Sequence, residues 1–282
     1  MTLTTLFEQA EKLWHKRFTT VLISRVLIFS FLLGLTLASL SYFSIIKADI
    51  PFFISIDISF SVLLVFEILG LIFILPKSVA DALGKQFEIF SIILLRSAFK
   101  EFGALNSTIT MDQLSQPDFY YMFYDAFGAL IIFLIIGFFY KIQRHERITD
   151  TDQEQYEFKR FKQVLASGIL LVFLVLGVHD IYQFFVQGIH ETSIKTFYLF
   201  LIFADILVLL YSLRYTTRYY NIFRYSSFAF ATVLIRMALS AGPLVNVLMG
   251  LLAGLFVLGL SFTYNYFRAT GDHPDMADQT SL

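Results

Sequence analysis

Cysteine is absent from the 282 residues, which removes disulfides, thiolate nucleophiles, cysteine zinc sites and iron–sulfur clusters together. Charge is scarce as well: Asp, Glu, Lys and Arg make up 15% of the chain, against about 25% in soluble proteins. The formal net charge of -1 favours no class of partner, and nucleic acid finds no basic chain to bind. HExxH, GxSxG, P-loop and GxGxxG runs are all missing, and the segments between apolar runs are too short to fold as a catalytic domain. The expectation is a protein that is not an enzyme, with no cofactor and no metal site.

What is present is apolar: 57% of residues, with 34 Phe and 15 Tyr, and a mean hydropathy of +0.70. A chain with so little polar surface cannot cover a globule, and one so rich in apolar side chains does not stay disordered. The composition is that of an integral membrane protein.

Apolar windows of membrane-spanning length fall at 20–46, 53–75, 87–105, 119–140, 163–187, 197–213, 227–241 and 244–266. The first is too long for a signal-peptide core and reads as an uncleaved span. Residues 1–19 read as an amphipathic segment offering Leu3, Leu6, Phe7, Leu13 and Trp14 to the membrane surface, or as a frayed start. The weakest windows are 87–105, with Glu88, Arg96, Lys100 and Glu101, and 227–241, which runs into Gly242-Pro243. If all eight cross, one side receives fifteen Lys and Arg and the other only Lys47 and Lys195, with four inside spans. Basic residues accumulate on the cytoplasmic side, so the expectation is eight crossings with both termini cytoplasmic.

The chain also matches itself. RFTTVLISRVLIFSFLLG (17–34) over RFKQVLASGILLVFLVLG (160–177) gives eight identities in eighteen positions. FSIILLRSAFKEFGALN (90–106) over FATVLIRMALSAGPLVN (230–246) places Arg96 on Arg236. This predicts an all-α bundle of two four-helix repeats, 20–140 and 163–268, joined by a charged linker at 141–162 and followed by a mobile tail at 269–282. With an even number of spans per unit, the repeats are parallel.

Ionisable residues near span centres cost about 2.5 to 3.5 kcal/mol each when unpaired. Glu67 and Arg96 in the first unit, and Asp205 and Arg236 in the second, suggest two intramembrane ion pairs. They belong to an ion or proton pathway, or they fix helix packing. Arg25, one turn inside the first span, reads as a snorkelling anchor. Arg214, Arg218 and Arg224 cluster at one span end and do not form a voltage-sensor ladder. Asp49, Asp57, Asp112, Asp118, Asp125, Asp180, Glu191, His179 and His190 would form an outer acidic rim, either concentrating cations or merely solvated. Within it, His179 and Asp180 could titrate as a pair. Tyr120, Tyr121 and Tyr124, with Tyr215, Tyr219 and Tyr220 at the other face, read as interfacial belts.

VFEILGLIF (65–73) and FSIILLRSAFKEF (90–102), with FATVLIRMAL (230–239) as a second copy, resemble the small phosphate-starvation-inducible PsiE-like membrane proteins. That resemblance implies a bacterial inner-membrane protein with a stress-linked role. The chain departs from the pattern in its double length and in carrying Asp205 where a Glu would be expected.

The functional expectation is an ion or small-solute transporter or channel, or its regulator; the competing one is a scaffold or stress sensor that does not transport. Expected partners are the lipid bilayer, an ion or small solute, and a second copy of the chain. Because no cysteine is present, single introduced cysteines report topology cleanly. A cysteine at Arg147 should be labelled only from the cytoplasmic side, and labelling from outside would overturn the assigned orientation.

Overall fold

A computed structural model describes residues 3–45, 52–104, 117–143, 151–187, 193–215 and 219–270. Among these the elements are nine α-helices and no strand: α1 (Leu3–Trp14), α2 (Arg17–Tyr42), α3 (Ile54–Ile74), α4 (Val79–Ala104), α5 (Pro117–Ile142), α6 (Asp152–Tyr182), α7 (Ile194–Ser212), α8 (Tyr219–Ser240) and α9 (Val245–Thr270). A π-helical turn, Gln183–Gln187, continues α6. Seven helices, α2, α3 and α5 to α9, are long and apolar enough to cross a membrane. The protein is a multi-pass membrane protein built as a helical bundle.

Helix α4 is the exception among the eight expected spans. Its 26 residues extend about 39 Å, ample for a hydrocarbon core of about 30 Å. It is too polar to count by composition, because Asp81, Lys85, Glu88, Arg96, Lys100 and Glu101 all lie on it. It also packs on four helices, α3, α5, α8 and α9. It runs antiparallel to α3, with Lys85 beside Glu67 and Arg96 beside Asp57. It likewise runs antiparallel to α5, with Gly84 against Tyr140 at one end and Ser97 near Asp125 at the other.

Two apolar cores fill the bundle. One joins α4 and α5 to α8 and α9 through Phe87, Phe90, Leu94, Ile132, Phe228 and Ile235. The other joins α3 to α6 and α7, and takes in Phe7 of α1. Each core therefore mixes helices from both halves of the sequence. The order of neighbours repeats as well: α2 on α3, α3 on α4 and α4 on α5 in the first half, then α6 on α7, α7 on α8 and α8 on α9 in the second.

Helix α1 departs from the expectation of a membrane-surface segment. Phe7 is only 3% exposed, its ring tilted against Phe73 at 5.6 Å, and Trp14 lies 5.2 Å from the same ring. Gln163 Nε2 donates to Glu8 Oε1 at 3.1 Å, tying α1 to α6. Leu6 and Leu13 remain exposed; Leu3 has no described side chain. An amphipathic stripe does not say which apolar surface it meets, and here protein takes one flank.

Helix α6 begins well ahead of the expected start at 163. Thr151 accepts from the Glu154 amide and Glu154 Oε2 accepts from the Thr151 amide, a reciprocal capping box. The second half of the expected 141–162 linker is thus helix, Lys141 and Ile142 end α5, and 144–150 lie outside the described residues. Similarly, α8 starts at Tyr219 and α4 at Val79, each extended by polar turns that a hydropathy window leaves out. Of the expected tail, all beyond Thr270 is outside the described residues.

Small residues let backbones approach where lipid supplies no hydrophobic drive. Ser30, Gly34 and Ala38 form the buried face of α2, and a Cβ at Gly34 would lie 2.6 Å from Ser55 Cα on α3. A Cβ at Gly250 of α9 would collide with the Phe90 ring of α4. Because α2 packs on the bundle chiefly through α3, Gly34→Val should release it. The expected loss is about 1 to 3 kcal/mol, read as a lowered thermal midpoint of the detergent-solubilised protein; an unchanged midpoint would mean that α2 does not dock this way.

Candidate functional site

One end of the bundle gathers the α3–α4 and α7–α8 junctions, α1, the start of α6 and the ends of α5 and α9. Lys162 donates to Lys77 O, Phe158 stacks on Tyr211, and Asn265 Nδ2 donates to Ile142 O. Most of the basic residues lie here, so it is called the basic end. The opposite end holds the starts of α3, α5, α7 and α9.

The expected pairing of Asp205 with Arg236 is present. Asp205 Oδ2 and Arg236 Nη2 are 2.6 Å apart between α7 and α8, and Arg236 is 3% exposed. Arg236 Nη1 also donates to Tyr198 O at 3.4 Å. The two charges meet at an angle poor for a hydrogen bond, so Arg236 Nε and Nη2 and Asp205 Oδ2 keep unspent bonding capacity. Gln86 of α4 is the other polar neighbour of Asp205.

The expected pairing of Glu67 with Arg96 is not made. Glu67 Oε2 pairs with Lys85 Nζ at 2.8 Å, and Arg96 Nη2 pairs with Asp57 Oδ1 at 2.9 Å while donating to Ser61 Oγ at 2.8 Å. The reason is helical register. In the tight α3–α4 hairpin, Glu67 lies near the basic end, level with Lys85, and Arg96 lies near the opposite end, level with Asp57. Lys85 also reaches Glu88 at 3.2 Å, whose carboxylate accepts from Tyr140 at 2.8 Å. Lys85 is one of the fifteen basic residues that charge counting places outside the spans, which hides it as a partner.

Asp205 and Arg236 on one side and Asp57 and Arg96 on the other lie between two cavities toward opposite ends of the bundle. A cavity of about 30 Å³ is lined by Leu75 and Val79 at the α3–α4 junction, by Ser212 and Thr232, and at depth by Gln86 and Asp205. That is room for one or two waters. At the opposite end a half-open pocket of about 200 Å³ is lined by Phe53, Asp57, Arg96, Phe99 and Lys100. Between them stands Tyr198, buried, its hydroxyl without a hydrogen-bond partner among the described residues and within electrostatic reach of both Arg236 and Arg96. From the basic end the order is cavity, Gln86, Asp205–Arg236, Tyr198, Arg96–Asp57, outer pocket.

The remaining expectations divide. Asp180 accepts from the Ser193 amide at 2.9 Å and from its hydroxyl at 2.5 Å, tethering the start of α7, while His179 is exposed; the pair is not joined. The acidic rim is not continuous: Asp57 is taken by Arg96 and Asp125 is fully buried. Asp49, Asp112, Glu191 and His190 lie outside the described residues, and so does the Asp118 side chain. Arg25 is exposed on α2. Arg224 is buried over the Tyr264 ring at 4.6 Å, and Arg218 is outside the described residues. Tyr120, Tyr124 and Tyr219 present exposed rings.

No family model, curated protein or solved structure matches the chain.

The two pairings give a double-mutant test. Arg236→Leu alone should cost about 3 to 5 kcal/mol by stranding Asp205, and adding Asp205→Asn should recover much of it. The same cycle on Glu67 should give coupling with Lys85 and none with Arg96. Coupling between Glu67 and Arg96 in thermal unfolding would contradict the register.

Proposed function

We propose that the chain translocates protons or another small ion across a membrane along the polar line between α3, α4, α7 and α8. The observation that carries the reading is the buried Asp205–Arg236 pair, with Asp205 lining a water-sized cavity whose other walls include Leu75, Val79 and Ser212 near the basic end. Ionisable residues in a bundle interior are expensive and mark pathways by default. Here two carboxylates, a phenol and two guanidinium groups lie between one pocket and another. The cavity's size favours a proton passed through one or two waters over a bulkier solute.

The reading includes eight crossings. In its support, α4 runs antiparallel to α3 and α5 along the length of both, and Lys85 and Arg96, deepest in it, are paired with carboxylates of α3, so its polarity is no bar to spanning. It also includes two parallel four-helix halves, α2 to α5 and α6 to α9, supported by the repeated neighbour order and by Arg96 and Arg236 each pairing with an Asp of the preceding helix. With the basic end cytoplasmic, the protein would sit in a bacterial inner membrane, and no step of its action would be enzymatic.

A scaffold reading is favoured by one feature: the groups around Tyr198 are packed rather than wet. It would make the pairs static, leave recruitment to the basic end, and accommodate the stress-linked role that the PsiE-like resemblance implies.

Flux in proteoliposomes separates the two. Under an imposed pH gradient and membrane potential, wild type should conduct protons, Asp205→Asn should abolish conduction, and Tyr198→Phe should reduce it. Glu67→Gln, off the line, should leave it intact. No wild-type flux of protons or alkali cations, or flux indifferent to Asp205→Asn, would reject the pathway and favour the scaffold.

A further inference from the structure

The corner between α1 and α2 holds a contact that only a neutral imidazole can make. His15 Nδ1 lies 2.9 Å from the Glu11 carbonyl oxygen, which can only accept a hydrogen bond. His15 Nε2 lies 3.1 Å from Lys77 Nζ at the α3–α4 junction, and an ammonium can only donate. The two partners fix the ring: its proton sits on Nδ1, and the Nε2 lone pair faces Lys77. A second proton would leave Lys77 without an acceptor and set two like charges 3.1 Å apart.

The contact stands at one edge of the docked α1. Toward its start the helix is anchored by the buried Phe7 and by Gln163 of α6. Toward its end it rests on α3 through Trp14, whose ring lies 5.2 Å from Phe73 and 6.5 Å from Phe66, and on the α3–α4 junction through the His15–Lys77 contact. Trp14 and His15 also wall a half-open cavity of about 200 Å³ that Glu67, Gly70 and Lys85 line as well. The backbone of Lys77 is pinned, since its amide donates to Ile74 O at 2.9 Å and its carbonyl accepts from Lys162 of α6.

The charged groups around His15 do not relieve the clash. Glu11 of α1 meets the ring through its carbonyl, and Lys12, Lys16 and Arg17 beside it in sequence are cations, as is Lys162. Across the cavity, Glu67 of α3 is held by Lys85 of α4, which also holds Glu88. We infer that His15 and Lys77 form a proton-operated latch: neutral His15 holds the end of α1 on the bundle, and protonation of His15 releases that end, lifting Trp14 from Phe73 and opening the cavity in front of Glu67 and Lys85. Imidazole is the side chain whose charge changes between pH 5 and 8, and both members of the latch are exposed to solvent. The hold is present while the ring is neutral and is lost as the pH falls. The latch is separate from the Asp205–Arg236 pair and does not depend on ion movement.

Trp14 is the one tryptophan of the chain, so its fluorescence reports on this end of α1 alone. The full-length protein in detergent is titrated from pH 8 to pH 5, and Trp14 is quenched with acrylamide, an uncharged probe whose access does not follow the local charge. Wild-type quenching should rise as the pH falls. His15→Gln keeps an acceptor for Lys77 and a donor for the Glu11 carbonyl but gains no proton, so its quenching should stay at the wild-type level of pH 8 throughout. Lys77→Met breaks the contact at every pH, and its quenching should stay near the acid level of the wild type. A wild-type response that is flat across the range would overturn the latch. A rise that persists in His15→Gln would assign the change to other groups, and one that persists in Lys77→Met would remove Lys77 as the partner; either overturns it equally.

Discussion

Lys85 and Arg96 lie about three turns apart on one helix, and each is met by a carboxylate of the antiparallel neighbour α3. This charge matching is the constraint on which the bundle's layout depends. A helix with six ionisable residues does not survive facing hydrocarbon, so α4 must be wrapped, and α3, α5, α8 and α9 surround it. Once α4 occupies the centre, the more apolar helices take the periphery, where their exposed Phe, Leu and Val side chains face lipid.

Wrapping α4 also explains why the two halves of the chain interleave. One core needs α8 and α9 to close over α4 and α5; the other needs α6 and α7 to close over α3, with α1 sealing its edge. Close approach is secured by small residues at the contacts, Gly34 on Ser55 and Gly250 on Phe90. The two acid–arginine pairs lie between α3 and α4 and between α7 and α8. They end up on either side of one buried tyrosine.

Much of this was legible in the sequence. Hydropathy locates the helices, and the internal match of Arg96 with Arg236 points to the two helices whose guanidinium groups pair with an Asp of the preceding helix. Asp205 was found because it is the sole acid in an otherwise apolar run. Depth within each span pairs Glu67 with Arg96, but the register of the hairpin decides the partner and sets Lys85 level with Glu67. Asp125 was placed on a rim by its nearness to a span end, although Asp125, Ala129, Ile132, Ile136 and Phe139 fall on one helical face and all are buried. The early start of α6 was written in Thr151 and Glu154, a capping signal that a hydropathy window does not weigh. That α1 rests on protein could not be read from its stripe, since bilayer and bundle offer the same apolar surface.

Everything turns on α4 crossing between its neighbours, and its two ends can be read directly. Ser78→Cys and Lys100→Cys, each the single cysteine of its variant, should react with an impermeant maleimide from opposite sides of a sealed vesicle, Ser78→Cys from the side that also labels Arg147→Cys. Labelling of both from the same side would mean that α4 does not span, and the paired charges would no longer lie along a route through the membrane.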